Sequence, residues 1–147
     1  MSLKSENHES SSWTWTREYT FPSDMKTAQC LVAEAVNAMR AAGWGHKDVF
    51  AVELALEETL SNAVKHGNES NPEKNVHFFC GLHSDALYAR IEDEGEGFDP
   101  HALPDPRKPE NQMTPSGRGV LLVRHFVTKV KWNRQGNMVE FEKDRTK

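Results

Sequence analysis

The chain has 147 residues, of which 37% are hydrophobic and 27% charged, and its formal net charge is -4. This length and composition are typical of one globular domain and exclude a disordered or fibrous chain. An acidic chain without a basic stripe is not expected to bind nucleic acid, because neutralised phosphates supply most of that affinity.

The N-terminus and the cysteines are those of a soluble protein. Met1 to Ser12 are polar and lack the apolar core of a signal peptide, and no apolar run is long enough to span a membrane. Cys30 and Cys80 have neither the spacing of a zinc site nor that of a disulfide framework. We therefore expect a cytoplasmic protein.

The first half of the chain predicts one strand and two helices. Residues 1–11 are expected to form a disordered polar tail, and residues 12–147 to form a single domain. Alternation of large and small side chains predicts a strand over 12–21, with Trp13, Trp15 and Phe21 on one side. Apolar residues at helical spacing then predict amphipathic helices over 24–42 and 46–66.

The second half predicts strands around a third helix. The strands are expected at 76–82, 86–92, 127–133 and 137–142. A helix is expected from near Gly117 to about Phe126, after a proline-rich loop from Asp99 to Ser116 that is typical of a lid. The order β-α-α-β-β-α-β-β predicts an α+β fold, a two-layer sandwich of a mixed, largely antiparallel sheet with helices on one face.

The helix over 46–66 has a polar sector that its core packing does not need. Its core sector contains Val49, Val52, Leu56, Leu60 and Ala63. Glu58, Asn62 and His66 stand four residues apart beside two alanines, so they form one edge of the helix, whereas Glu57 lies in a solvated sector. Glu58 there could act as a general base and Asn62 could offer an oxygen to magnesium. The alternative is an ordinary polar flank in water.

Two glycine turns supply further candidates. The first is Asp93-Glu94-Gly95-Glu96-Gly97-Phe98, in which Asp93 could accept a hydrogen bond from an exocyclic amine such as that of adenine. It could also be an acidic hairpin turn, whereas the ligand pattern of a calcium loop is absent. The second is Ser116-Gly117-Arg118-Gly119-Val120, where glycines before a helix favour an anion site. Its alternative is a glycine-started helix with a surface arginine.

Together these motifs resemble the histidine-kinase-like (GHKL) ATPase family, which includes type II topoisomerases and heat-shock chaperones. The matching strings are E-x-x-x-N-A-x-x-H-G at Glu58 to Gly67, D-x-G-x-G at Asp93 to Gly97, and G-x-G-x-x-L at Gly117 to Leu122. The short domain and the strings DEGEGFDP and PSGRGVLLVRHFVTKV are most similar to the small anti-sigma-factor serine/threonine kinases. The resemblance implies the Bergerat (GHKL) ATPase fold.

The resemblance also implies a role for each matching residue. By this resemblance Glu58 would be the catalytic base that takes the proton of a phospho-acceptor hydroxyl, and Asn62 would be the magnesium ligand. Asp93 binds the adenine amine. The implied nucleotide-binding residues are Asn62, His66, Asp93, Gly95, Gly97, Phe98, Ser116, Gly117, Arg118, Gly119 and Val120. Among these, His66 is expected to be structural rather than catalytic.

The implied function is a serine/threonine kinase that uses ATP and Mg²⁺, phosphorylates a small antagonist protein and binds a sigma factor. A homodimer is also implied. The alternatives are an ATP-binding module that binds a sigma factor or another partner without phosphoryl transfer, and a degenerate domain without nucleotide. One departure is the turn Gly136-Asn137-Met138, where the family often has Gly-Thr, which puts a threonine contact to adenine in doubt. Without a preceding phospho-accepting histidine helix, a complete histidine kinase is not expected.

Overall fold

The computed structural model describes residues 13–96 and 115–147, with side chains described throughout except at 115–118. The predicted polar tail, Gly97, Phe98 and the predicted lid up to residue 114 lie outside the described residues.

The described residues form five strands, three α-helices and one π-helical turn. In chain order they are β1 (Trp15–Pro22), α1 (Met25–Ala41), α2 (His46–Ser61), the π-helical turn (Asn62–Gly67), β2 (Asn75–Leu82), β3 (Ala86–Glu92), α3 (Pro115–Phe126), β4 (Lys129–Trp132) and β5 (Met138–Asp144). Each predicted helix and strand is therefore present, with ends that shift by a few residues. No helix in these ranges has the length and apolar character needed to cross a membrane.

The strands form one sheet in the order β1-β2-β3-β5-β4, and every pairing among the described strands is antiparallel. Apolar residues align across neighbouring strands, with Phe21 opposite Val76, Phe78 opposite Ile91, and Ile91 opposite Val139. These side chains belong to the buried core with the helices. The predicted two-layer α+β sandwich with helices on one face is confirmed.

The N-terminal aromatic residues divide between the two faces of the sheet. Trp15 packs against the core and Phe21 is buried in it. Trp13 was expected on the same side, but it precedes β1 and its ring lies over Gly81, where an added Cβ would come within 2.6 Å of it. The ring also makes an edge-to-face contact with Phe79, on the face away from the helices. The alternation of side chains between the two faces of the sheet therefore begins only at Trp15, where β1 begins.

Local signals in the sequence set the ends of α1. The side chain of Asp24 caps the helix by accepting hydrogen bonds from the backbone N–H groups of Lys26 at 3.2 Å and Thr27 at 3.3 Å. After the helix, Gly43 has a φ of +81°, a conformation that a glycine adopts without strain. Asp24 and Gly43 thus mark the two ends of α1.

The second helix differs from its prediction at its end. A single α-helix was expected to His66, but α2 ends at Ser61 and the chain continues as a π-helical turn, in which Asn68 N donates to Ala63 O at 2.9 Å. The side chain of Asn68 is fully buried and bonds to Ser23 Oγ and Asn75 O. The hydrogen bonds that Asn68 makes to distant residues thus accompany a turn that is wider than an α-helical one.

Candidate functional site

A cavity of about 130 Å³ lies between the π-helical turn, β3, α3 and the β4–β5 turn. Apolar side chains form most of its wall: Ile91, Val120, Val123, Trp132, Met138 and Val139. Its polar lining residues include Thr59, Asn62, His66, Asp93 and Asn137. An apolar cleft with a few convergent polar groups is the usual form of a small-molecule site.

Asp93 follows β3 and forms a buried polar wall of this cavity, with 9% of its surface exposed. Its Oδ1 accepts a hydrogen bond from Gly95 N at 2.8 Å, the one such bond to this carboxylate within the described ranges. Burial raises the pKa of Asp93 above its ordinary value, although the Gly95 hydrogen bond opposes this. The carboxylate thus keeps acceptor capacity for a ligand.

Glycines pack the helical motif against the turn after β3. A Cβ at Gly95 would overlap the carbonyl oxygen of Gly67, and a Cβ at Gly67 would meet the Asp93 carboxylate, with Oδ1 at 2.7 Å. Gly67 ends the π-helical turn, but its φ is not positive, since the described glycines with positive φ are Gly43 and Gly136. Close approach, rather than a left-handed backbone, therefore requires glycine at position 67.

Two asparagines hold the backbone of the Asp93 turn. Asn68 Oδ1 accepts from Glu94 N at 2.7 Å, and Asn137 Nδ2 donates to the carbonyl oxygen of Asp93 at 3.0 Å. Asn137 O also accepts from Asp93 N at 2.8 Å. Sequence reasoning did not assign a role to either asparagine. The signals that could have found them are the position of Asn68 beside Gly67 and that of Asn137 where a threonine was expected.

The β4–β5 turn is itself ordered by Asn133. Its Oδ1 accepts from Gly136 N at 2.7 Å and Asn137 N at 3.0 Å, a side-chain-to-backbone pattern that fixes a turn. Gly136 has a φ of +82°, which suits glycine. The turn therefore presents Asn137 to the cavity in a fixed orientation.

The first turns of α3 meet the polar edge of α2. A Cβ at Gly119 would lie 2.7 Å from Glu58 Oε2 and 3.1 Å from Asn62 Nδ2. Glu58 and Asn62 are both half-buried. Glu58 and Asn62, one helical turn apart, and Gly119, which is distant from them in the sequence, therefore surround one small space that a larger residue at position 119 would fill.

The third helix begins earlier than expected. It starts at Pro115 rather than near Gly117, and proline is favoured at the first position of a helix. Ser116, Gly117 and Arg118 therefore lie in the first turn, where backbone N–H groups have no partner within the helix. Gly119 lies beyond these positions, so its contribution is close approach to Glu58 rather than a free N–H. Val120 is buried and lines the cavity.

The remaining predicted residues are placed less centrally or fall outside the described ranges. His66 lines the cavity but is exposed. Gly97 and Phe98 lie outside the described residues. Residues 13–96 and 115–147 contain no group of three or more His, Cys, Asp or Glu side chains that could hold a metal. A magnesium ion here would rest on the oxygen of Asn62 together with phosphates and water, which suits its preference for oxygen ligands.

Fold and site together define a histidine kinase-like ATPase domain. The family model described as "Histidine kinase-like ATPase domain" matches residues 21–143, and the chain belongs to this family. The resemblance inferred from the motifs is therefore confirmed.

Relatives point to one branch of the family. The chain is 25% identical over 129 residues to serine-protein kinase RsbW of Oceanobacillus iheyensis, covering 83% of this chain and 80% of that protein. It is 26% identical over 95 residues to serine-protein kinase RsbW of Bacillus licheniformis, covering 60% of this chain and 59% of that protein. Both agree with the predicted similarity to small serine/threonine kinases.

A solved structure supports the fold. The crystal structure of the RsbU and RsbW domains of a Mycobacterium tuberculosis protein matches with a TM-score of 0.57 at 16% identity. The match covers 90% of this chain and 32% of that chain, so the present chain spans about a third of the solved one. At this identity the match shows that the fold is shared.

Proposed function

We propose that this protein is a serine/threonine kinase that uses Mg-ATP, phosphorylates a small antagonist protein and acts as an anti-sigma-factor-type regulator. The observation that carries the proposal is the meeting of Gly119 with Glu58 and Asn62, with Glu58 Oε2 2.7 Å from the Cβ position of Gly119. The names of the two curated relatives, both serine-protein kinases, support the same activity.

The cavity would receive the adenine base. Apolar walls such as Val120 and Val139 exclude water from a flat ring, and the acceptor-only carboxylate of Asp93 selects a ligand that offers an N–H group. Gly67 and Gly95 let the backbone pack closely behind Asp93. In this proposal the Asp93 carboxylate would discriminate an exocyclic amine from a carbonyl.

The phosphates would lie where α3 meets α2. Free backbone N–H groups of the first turn of α3 attract anions, and the missing side chain of Gly119 leaves room beside Glu58 and Asn62. Asn62 would hold the magnesium ion, which neutralises phosphate charge. Glu58 would accept the proton of the acceptor hydroxyl while the hydroxyl oxygen bonds to the γ-phosphorus and ADP leaves.

The partners follow from the same proposal. The acceptor would be a small antagonist protein, and a sigma factor would be the regulated partner. The homodimer and the cytoplasmic location expected from the sequence remain part of this proposal.

Glu58→Gln tests the proposal because it preserves size and removes the base. We expect ATP affinity, measured by isothermal titration, to stay close to that of the wild type. Transfer of labelled γ-phosphate to a candidate antagonist protein should fall by about 10²–10⁴-fold, the usual contribution of a general base. Glu53→Gln is the matched control, since Glu53 lies on the same helix outside the nucleotide cavity.

Equal transfer rates for Glu58→Gln and wild type would remove Glu58 from catalysis. ATP binding by the wild type without labelling of any candidate partner would instead favour the alternative function, an ATP-binding module that binds its partner without phosphoryl transfer.

A further inference from the structure

A second cavity, of about 340 Å³, lies between α1 and α2. We call it the α1–α2 groove. Its lining residues include Met25, Gln29 and Val32 from α1 and Glu57, Glu58 and Ser61 from α2. Asn62 and Asp93 line the first cavity but not this groove, so the two spaces lie on different sides of α2. The nucleotide assignment leaves the groove without a role.

Glu58 connects the α1–α2 groove to the space beside Gly119, one helical turn from Asn62 in the wall of the first cavity. Its side chain lines the α1–α2 groove, and its Oε2 is the atom nearest to the Cβ position of Gly119. In phosphoryl transfer the attacking and leaving oxygens lie roughly in line across the phosphorus. An acceptor hydroxyl must therefore reach Glu58 from a side that the nucleotide does not occupy, and the groove opens on such a side.

We propose that the α1–α2 groove binds an extended segment of the phospho-acceptor protein, with its serine or threonine hydroxyl at Glu58 and a lysine or arginine side chain at Glu57. This inference rests on the proposed kinase function and adds the docking site and the character of the acceptor segment.

Charge and burial determine the kind of segment that fits. Val32 and Leu60 give the groove an apolar floor, with 6% and 0% of their surfaces exposed. Glu57 is exposed at the rim, and within the described residues neither Glu57 nor Glu58 forms an ion pair with a basic side chain. A basic side chain in the acceptor would supply the missing positive charge.

The same charges would help the product to leave. Partial burial, Glu53 and Glu58 all raise the pKa of Glu57, so negative charge is already crowded at the rim. Transfer places a phosphate group of about two negative charges beside these carboxylates. The unmodified segment is therefore bound more tightly than the phosphorylated one.

A peptide library tests the charge requirement. Peptides with one central serine or threonine and varied flanking residues are incubated with labelled ATP and with wild type, Glu57→Lys or Glu53→Lys. We expect the wild type to prefer a basic flanking residue, and Glu57→Lys to lose this preference and raise KM for basic peptides by about tenfold. Glu53→Lys makes the same change of charge one turn away, outside the groove, and should keep the preference.

A second pair of variants tests the space itself. Gln29→Trp fills the rim of the groove, whereas Asn37→Trp adds the same ring to an exposed position of α1 outside it. We expect Gln29→Trp to raise the acceptor KM with unchanged ATP affinity, and Asn37→Trp to behave as wild type. Both are measured with the peptides and with a folded antagonist protein.

The outcomes separate the inference from the function on which it rests. If the wild type phosphorylates acceptors but Glu57→Lys matches Glu53→Lys and Gln29→Trp matches Asn37→Trp, the groove is not the docking site. If the wild type binds Mg-ATP and phosphorylates neither peptides nor folded candidates, the kinase function fails and the inference fails with it.

Discussion

Asp48 and Asp93 are both buried carboxylates, yet the protein treats them in opposite ways. Asp48, 2% exposed in α2, accepts hydrogen bonds from Thr146 N at 2.8 Å and Thr146 Oγ1 at 2.7 Å, and Lys143 Nζ lies 3.5 Å away. Burial alone would raise the pKa of Asp48, but the Thr146 hydrogen bonds and the Lys143 charge outweigh it, and the pKa is lowered. Burial of Asp93 prevails, and its pKa is raised.

The difference separates a carboxylate whose acceptor sites are used within the fold from one that remains available to a ligand. Asp48 ties the C-terminal residues to the start of α2, and its acceptor sites are used within the fold. Asp93 is held by one hydrogen bond from Gly95 while its backbone is fixed by Asn137. A buried charge that is poorly compensated costs stability, so its presence at a cavity wall favours a role in binding.

Asp48→Asn should give the largest loss of stability. The amide group cannot accept both Thr146 hydrogen bonds, and Lys143 loses its counter-charge, so the free energy of unfolding should fall by about 2–3 kcal/mol. Denaturant unfolding measures the loss. ATP affinity of the folded variant should be unchanged, and a parallel loss of affinity would show that Asp48 does more than hold the C-terminus.

Asp93→Asn should weaken ATP binding without a loss of stability. Asparagine keeps the Gly95 hydrogen bond but presents a donor where the proposed contact with the adenine amine needs an acceptor. We expect ATP affinity to fall by about 10–100-fold, the worth of a hydrogen bond to a charged group, with the free energy of unfolding unchanged or raised. Isothermal titration and denaturant unfolding measure the two quantities.

Glu96→Gln is the control for Asp93→Asn, because Glu96 is an exposed acid in the same turn. It should match wild type in both measurements. If Asp93→Asn binds ATP as tightly as the wild type does, Asp93 is not the group that recognises the base.

The response to pH should distinguish the same two residues. A lowered pKa means that Asp48 stabilises the protein above its ordinary pKa of 3.8, and that this contribution is lost as pH falls below that value. A raised pKa means that Asp93 contributes fully to the stability of the folded protein at pH values below 3.8, its ordinary pKa. This contribution is lost as the pH rises through the higher pKa that Asp93 has in the folded state.

Unfolding free energies of wild type and both Asn variants between about pH 3 and 7 test these signs. At neutral pH the wild type should be more stable than Asp48→Asn but not more stable than Asp93→Asn, and both differences should shrink on acidification. If both Asn variants were less stable than the wild type at neutral pH, or both more stable, the contrast between the two carboxylates would be wrong.

Periodicity and motifs predicted a large part of this molecule, because they are local. The helical spacing of Val52, Leu56 and Leu60 identified the core face of α2, and all three are buried. The same spacing put Glu58, rather than Glu57, on the side that α3 approaches. The two-layer fold followed from the succession of these elements along the chain, whereas the order of the strands within the sheet was not predicted.

The unpredicted features depend on contacts between distant segments. Asn68 bonds to Ser23, Asn75 and Glu94. Its position beside Gly67 could have marked Asn68 as a candidate, but it does not indicate these partners or the π-helical turn that accompanies them. The α1–α2 groove likewise exists only after two helices have packed. Sequence patterns fix what an element is, whereas its partners across the fold decide how it ends.

Substitutions of Asn137 should have the smallest effect, and they test how Asp93 is positioned. Asn137→Thr removes the 3.0 Å hydrogen bond to Asp93 O but leaves the backbone bond from Asp93 N to residue 137. One neutral hydrogen bond is worth about 0.5–1.5 kcal/mol, so ATP affinity should fall by no more than about tenfold. Titration calorimetry with ATP measures it.

Asn137→Asp tests whether the side chain of residue 137 positions Asp93 by its hydrogen bond or only fills space. Aspartate has the shape of asparagine, but it cannot donate to Asp93 O and it places a second negative charge near the Asp93 carboxylate. Repulsion should raise the pKa of Asp93 further and weaken ATP binding more than threonine does. The expected order of affinity is wild type, then Asn137→Thr, then Asn137→Asp. If Asn137→Asp equals the wild type, the backbone bond alone positions Asp93, and the side chain of residue 137 contributes only to the wall of the cavity.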